Sequence, residues 1–80
     1  MQIKCIVSAI NSNGEPDLYF TVIECSQVQY DSGEHYDAAI GQCNEDGYDA
    51  YLAYDENDAA GKMLLPLFEW ESANVVNIDL

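Results

Sequence analysis

His35 is the one histidine of this 80-residue chain, and Cys5, Cys25 and Cys43 are its only thiols. Nucleophilic catalysis by such a set needs a thiol within hydrogen-bond reach of the imidazole. His35 and Cys43 fall eight positions apart on one expected helix, about 12 Å along its axis at the helical rise. That pair is out of reach, and Cys5 or Cys25 can approach His35 only through the fold. The expectation for His35 is therefore a first-turn helical residue, partly exposed. Three cysteines, odd in number, far apart and without a C-x-x-C, resemble neither a disulfide framework nor a zinc site. They read as reduced thiols in or near the core, in a cytoplasmic setting.

The second candidate is the acidic run Asp55-Glu56-Asn57-Asp58. A calcium loop of the EF-hand kind needs Asp or Asn at position 5, Gly at 6 and Glu at 12. Counted from Asp55, those places hold Ala59, Ala60 and Pro66, so the run reads as a solvated acidic turn. Carboxylates are common enough that no acid–base pair stands out. No Arg and only two Lys leave little to hold an anionic substrate or an oxyanion. There is no glycine-rich phosphate loop and no G-x-S-x-G. The expectation is a non-enzyme with no catalytic residue, no cofactor and no metal.

Charge says more than any motif. Fifteen Asp and Glu against two Lys give a net charge of −13. Direct nucleic-acid binding needs a basic footprint that is missing here, and anionic membranes are disfavoured for the same reason. Cationic partners are favoured. A fold of this mass exposes about 4,800 Å², so an even spread gives about one acid per 320 Å². Duplex DNA carries about one charge per 100 Å². Imitating DNA requires most acids to gather on one face.

The elements that must carry these residues read as follows. Ile3 to Ile10 alternates, with Ile3, Cys5, Val7 and Ala9 on one face. The Asn13-Gly14 turn and Pro16 lead to a second strand from Leu18 to Cys25, a β-hairpin. Asp31 to Glu34 has capping-box spacing. Tyr36, Ala39, Ile40 and Cys43 then form one helical stripe, with Glu34, Asp37 and Glu45 on the polar side. Gly47 suits the position just past the helix. Glu45 and Asp46 sit at the negative end of the dipole, where acids destabilise.

Tyr48 to Tyr54 alternates as a third strand, with Tyr48, Ala50, Leu52 and Tyr54 on one face and Asp49, Tyr51 and Ala53 on the other. Asp55 to Gly61 is a turn or the start of a short helix that Lys62 to Leu65 completes and Pro66 ends. Leu67 to Glu71 fits strand or helix equally, and Val76 to Leu80 reads as a strand. One domain over residues 1–80 follows: α+β, an antiparallel sheet of three to five strands with one main helix on one face, in the order β-β-α-β-β.

The tyrosines stand beside acids. A Tyr packs its ring in a half-buried sheet and keeps its hydroxyl wet, or it anchors an interface whose acids select a basic partner. The expected partner-binding set is Asp31, Glu34, Asp37, Glu45, Asp46, Asp49, Tyr51, Asp55, Glu56 and Asp58. In size, charge and lack of motif the chain resembles the small acidic inhibitors of phages and mobile elements, the DNA mimics and anti-CRISPR proteins. The resemblance implies a basic nucleic-acid-binding target, such as a CRISPR effector subunit, a nuclease or a restriction enzyme, met in the host cytoplasm by a monomer or homodimer. The alternative is a structural or adaptor subunit that binds a protein through a sheet edge or an apolar face.

Overall fold

The computed structural model describes residues 1–78. β1 (Gln2–Ile10) and β2 (Pro16–Glu24) form the expected antiparallel hairpin, in unbroken register from Gln2 opposite Glu24 to Ile10 opposite Pro16. Asn11 closes the loop. Its side chain accepts from the N–H groups of Asn13 and Glu15, and its carbonyl accepts from Gly14, which turns at φ 78°. That positive φ is why the turn carries glycine.

The helical part differs from the expectation. Ser26 and Gln29, rather than Asp31 and Glu34, form the capping box, and they start a short helix α1 (Gln27–Asp31). Asp31 lies inside α1 and so does not cap the next helix. Gly33, at φ 81°, breaks the chain between the two helices and begins α2 (Glu34–Glu45) without a side-chain cap. Gly47 ends it at φ 93° as expected.

α2 lies across β1, β2 and β3 (Asp49–Asp55). Ala39 and Cys43 are buried there against Ile3, Cys5, Val7, Ala9, Ile23 and Cys25. Ile40 packs at the margin of this core, and Tyr36 is half-buried. His35 is buried with them, at 1% exposure, where a partly exposed residue was expected.

Strict alternation fails in β3. Ser8 faces Leu52 but Ala9 faces Ala50, so Tyr51 is an extra, bulged residue. Ala50, Ala53 and Asp55 therefore share the helix side with Ala9, Val7 and Cys5, whereas Leu52 and Tyr54 lie with Ser8 and Ile6 on the far side. Tyr48 does not join Leu52 and Tyr54; it packs on Tyr19, with ring centroids 5.3 Å apart.

After β3 the chain forms α3 (Ala59–Leu64) and two 3₁₀ turns, Leu65–Leu67 and Trp70–Ser72. Neither strand nor α-helix describes residues 67–71. On the far face, Phe20, Phe68 and Trp70 form a triangle of rings with centroids 4.6 to 5.7 Å apart. Lys4 stands over the Trp70 ring at 5.6 Å. β4 (Val75–Asn77) then pairs with β2 in parallel, giving the order β3-β1-β2-β4. The sheet is mixed rather than wholly antiparallel, because the chain crosses from one edge to the other and returns in the direction of β2. The part of the last expected strand at residues 79–80 lies outside the described residues.

Candidate functional site

The acidic turn after β3 is held by its own carboxylates. Asp55 Oδ1 accepts from the N–H groups of Asn57 and Asp58 at 2.8 and 3.1 Å, and Asp58 Oδ2 accepts from the Asp55 N–H at 2.8 Å. This is the reciprocal logic of a capping box, with two acids in place of the usual residues. Asp58 then precedes α3, whose Gly61 packs against the strand end. A Cβ on Gly61 would come within 1.8 Å of the Asp55 carbonyl oxygen, so only glycine fits.

The other oxygen of Asp55 faces inward. Oδ2 accepts from His35 Nε2 at 2.8 Å and from the Tyr36 hydroxyl at 3.0 Å, and that hydroxyl also lies 2.7 Å from Asp58 Oδ2. The two side chains of the His35–Asp55 pair are 2% and 4% exposed. The His35 ring stacks on Tyr30, with centroids 4.7 Å apart, and meets Tyr36 in a tilted contact at 4.1 Å. Burial drives the Asp55 pKa up. The hydrogen bonds from His35, the Asn57 N–H, Tyr36 and the Asp58 N–H outweigh it and hold the carboxyl below its ordinary value. Asp55 is thus an ionised acceptor, so Nε2 of His35 is the donor. Nδ1 is buried without a hydrogen-bond partner among the described residues.

Cys5, opposite Asp55 in the ladder, does not supply a nucleophile. Burial first, and then the Asp55 charge, push its thiol up to about 12, so it stays protonated. Among the described residues no group of three His, Cys, Asp or Glu side chains is placed to hold a metal, and no helix is long and apolar enough to cross a membrane.

The expected partner-binding residues divide. Asp31, Glu34, Asp37, Glu45, Asp46, Asp49 and Tyr51 are exposed. Glu56 and Asp58 are half-buried, and Asp58 is engaged by Tyr36 and the Asp55 N–H. Asp55, at 3% exposure, is unavailable to a partner: its oxygens are taken up inside the fold. Glu34, Asp37 and Glu45 share the outer side of α2, with Asp31 and Asp46 beyond its two ends. The ion pairs among the described residues are the Met1 ammonium with Glu24 and His35 with Asp55, so none of these helix-side acids meets a lysine. Glu15, Asp17, Glu69 and Glu71 are exposed on other elements, so the charge is spread over the molecule, with the exposed Asp31, Glu34, Asp37, Glu45, Asp46 and Asp49 on or next to α1 and α2.

No protein family, no curated protein and no solved structure matches the chain.

Sequence reasoning missed the His35–Asp55 pair, yet a signal was present. His35 stands four before Ala39 and eight before Cys43, on the same helical stripe as those two buried residues. The tyrosine hydroxyls also proved more structural than expected. Tyr19 donates to Asp46, Tyr36 serves Asp55 and Asp58, and Tyr30 accepts from Asn57. Tyr51 alone of the six keeps a strongly exposed ring, at 63%.

Proposed function

We propose that this chain is a non-enzymatic inhibitor that lays its acidic α2 side on a basic, nucleic-acid-binding surface of another protein and so keeps nucleic acid from it. The observation that supports this reading is the set of exposed acids Asp31, Glu34, Asp37, Glu45, Asp46 and Asp49, which form no ion pair among the described residues and stand beside the solvent-facing side of α2. Glu34 to Glu45 spans about 17 Å at the helical rise. Three carboxylates over that length are sparser than a phosphate strand, at about one charge per 3.4 Å. The fit is to a basic site met by a few fixed acids, rather than to a copy of the phosphate ladder.

The β3 edge and the shortness of β4 speak against the sheet-edge form of the adaptor alternative. Asn44 accepts the N–H of Ala50 at 3.0 Å and Asp58 accepts that of Asp55, so both ends of the β3 edge are stopped, with a bulge between them. β4 is only three residues long. These are the devices that keep an edge from pairing with another chain.

The test is capture of basic nucleic-acid-binding proteins by the wild-type chain and by the Asp37→Lys/Glu45→Lys double variant, at low and moderate salt. Charge pairs at desolvated contacts are worth about 1.5 kcal/mol or more each, so reversal weakens capture by about tenfold or more and wild-type binding falls with salt. Equal capture by a folded variant overturns the reading.

A further inference from the structure

A cavity of about 230 Å³ lies where the end of α2 meets the outer edge of β2. Sites for small molecules run from about 300 to 1,000 Å³, so this one has the size for a single side chain. The rings of Tyr19 and Tyr48 line it, tilted by 59° with centroids 5.3 Å apart. Asp46 also lines it, fixed in place by the Tyr19 hydroxyl. That hydroxyl occupies one oxygen and the Gln42 side-chain amide reaches the other at 3.5 Å, and a carboxylate has about four acceptor sites, so capacity remains.

The backbone adds acceptors. β4 pairs with β2 only from Val22 to Glu24. The N–H of Val22 donates outward to the Asn74 carbonyl at 3.0 Å. By the two-residue period of the strand, the carbonyls of Leu18 and Phe20 fall on that same outer side, past the end of β4. Both residues line the cavity. Finally, α2 presents the negative end of its dipole there and has no basic residue in its last turn.

Two aromatic faces, a fixed carboxylate, carbonyl acceptors and a helix C-terminus all favour one kind of guest, a planar cation with several N–H donors. We propose that this cavity receives an arginine side chain of the basic partner, an inference that rests on the acidic-side reading above. The guanidinium stacks on Tyr48 and donates to Asp46 and to the strand-edge carbonyls; lysine, a point charge without a planar face, fits less well.

The probe is the peptide acetyl-Gly-Arg-Gly-amide, titrated into the whole protein and followed by amide chemical shifts. It is compared with the same peptide carrying citrulline, which is isosteric and neutral. A single side chain binds in roughly the millimolar range. The expected result is shifts centred on Phe20, Asp46 and Tyr48, weakened about fivefold or more by citrulline and, with the arginine peptide, by Asp46→Asn or Tyr48→Leu. The citrulline comparison uses the unaltered chain, so it stands even if a variant folds poorly. Equal binding of both peptides, or shifts confined to Glu34, Asp37 and Glu45, overturns the arginine site. The second outcome leaves the acidic-side reading intact, whereas loss of that reading shows only in the Asp37→Lys/Glu45→Lys capture.

Discussion

Replacing Asp55 tests the buried His35–Asp55 contact. In Asp55→Ala, His35 loses its 2.8 Å acceptor while its other nitrogen is already unpartnered, and the N–H groups of Asn57 and Asp58 lose theirs. Each buried donor left unsatisfied costs about 1–3 kcal/mol, and three donors lose Asp55. A domain of this length holds about 4–12 kcal/mol in total, so Asp55→Ala is expected to lose most of its stability or to unfold. Asp55→Asn keeps an oxygen for the two amides but gives up the charge-assisted bonds to His35 and Tyr36, a loss of roughly 1.5–3 kcal/mol.

Urea unfolding followed by the fluorescence of Trp70, which is packed against Phe20 and Phe68, reads both variants. The pH dependence gives a second measure. The folded Asp55 carboxyl lies below its ordinary value of 3.8. Its contribution is therefore present above pH 3.8 and is lost as the pH falls through the folded value. Asp55→Asn should flatten that acid limb. A loss below about 1 kcal/mol in Asp55→Ala at neutral pH, the size of an ordinary hydrogen bond, would refute the argument. So would an unchanged acid limb in Asp55→Asn.

Gly61→Ala should lower the melting temperature clearly, because its Cβ meets the Asp55 carbonyl at 1.8 Å and α3 must move away, an overpacking cost of about 1–3 kcal/mol or more; an unchanged melt contradicts the close approach. Cys5, fully buried with its thiol pushed up to about 12, should resist a thiol reagent at pH 8 until the protein is unfolded. Its stabilising contribution is complete below the unfolded thiol's 9.0 and is lost as the pH rises toward about 12. Cys5→Ser should change the steepness of alkaline unfolding over that window, and an identical alkaline limb counts against it.

The hairpin was legible because its pattern depends only on neighbours: alternation on each strand, with Asn13-Gly14 between. β3 was legible as a strand but not as to its faces, since one bulged residue, Tyr51, inverts the alternation and no residue type announces it. The parallel β4 was hidden for a different reason. Its direction is decided by how the segment from Asp58 to Asn74 crosses the far face on Phe68 and Trp70, a tertiary matter that local periodicity does not encode. The exposed acids of α2 followed from helical spacing. The inward turn of Asp55 did not, because an Asp in a run of acids reads as solvated unless its partner, His35, is already placed in the core.

That last point changes what the negative charge means. Asp46, Asp55 and Asp58 each accept from a tyrosine hydroxyl, and Asp55 and Asp58 also hold backbone amides. These acids act in the fold, so a charge-reversal scan that includes Asp55 confuses unfolding with lost binding. Glu34, Asp37 and Glu45 have no such duty to a tyrosine or a cation: Glu34 accepts only a serine hydroxyl, from Ser32, and Asp37 and Glu45 stand on the solvent side of α2. Two acids at the negative end of a helix, Glu45 and Asp46, work against that helix. Asp46 is accounted for by Tyr19. Glu45 has no intramolecular compensation among the described residues; under the proposed function, a cationic partner would relieve it. Of the helix-side acids, Glu45 is therefore where lysine should favour the helix and, if the proposed acidic-side reading holds, weaken capture of a basic protein, two effects of opposite sign from one substitution.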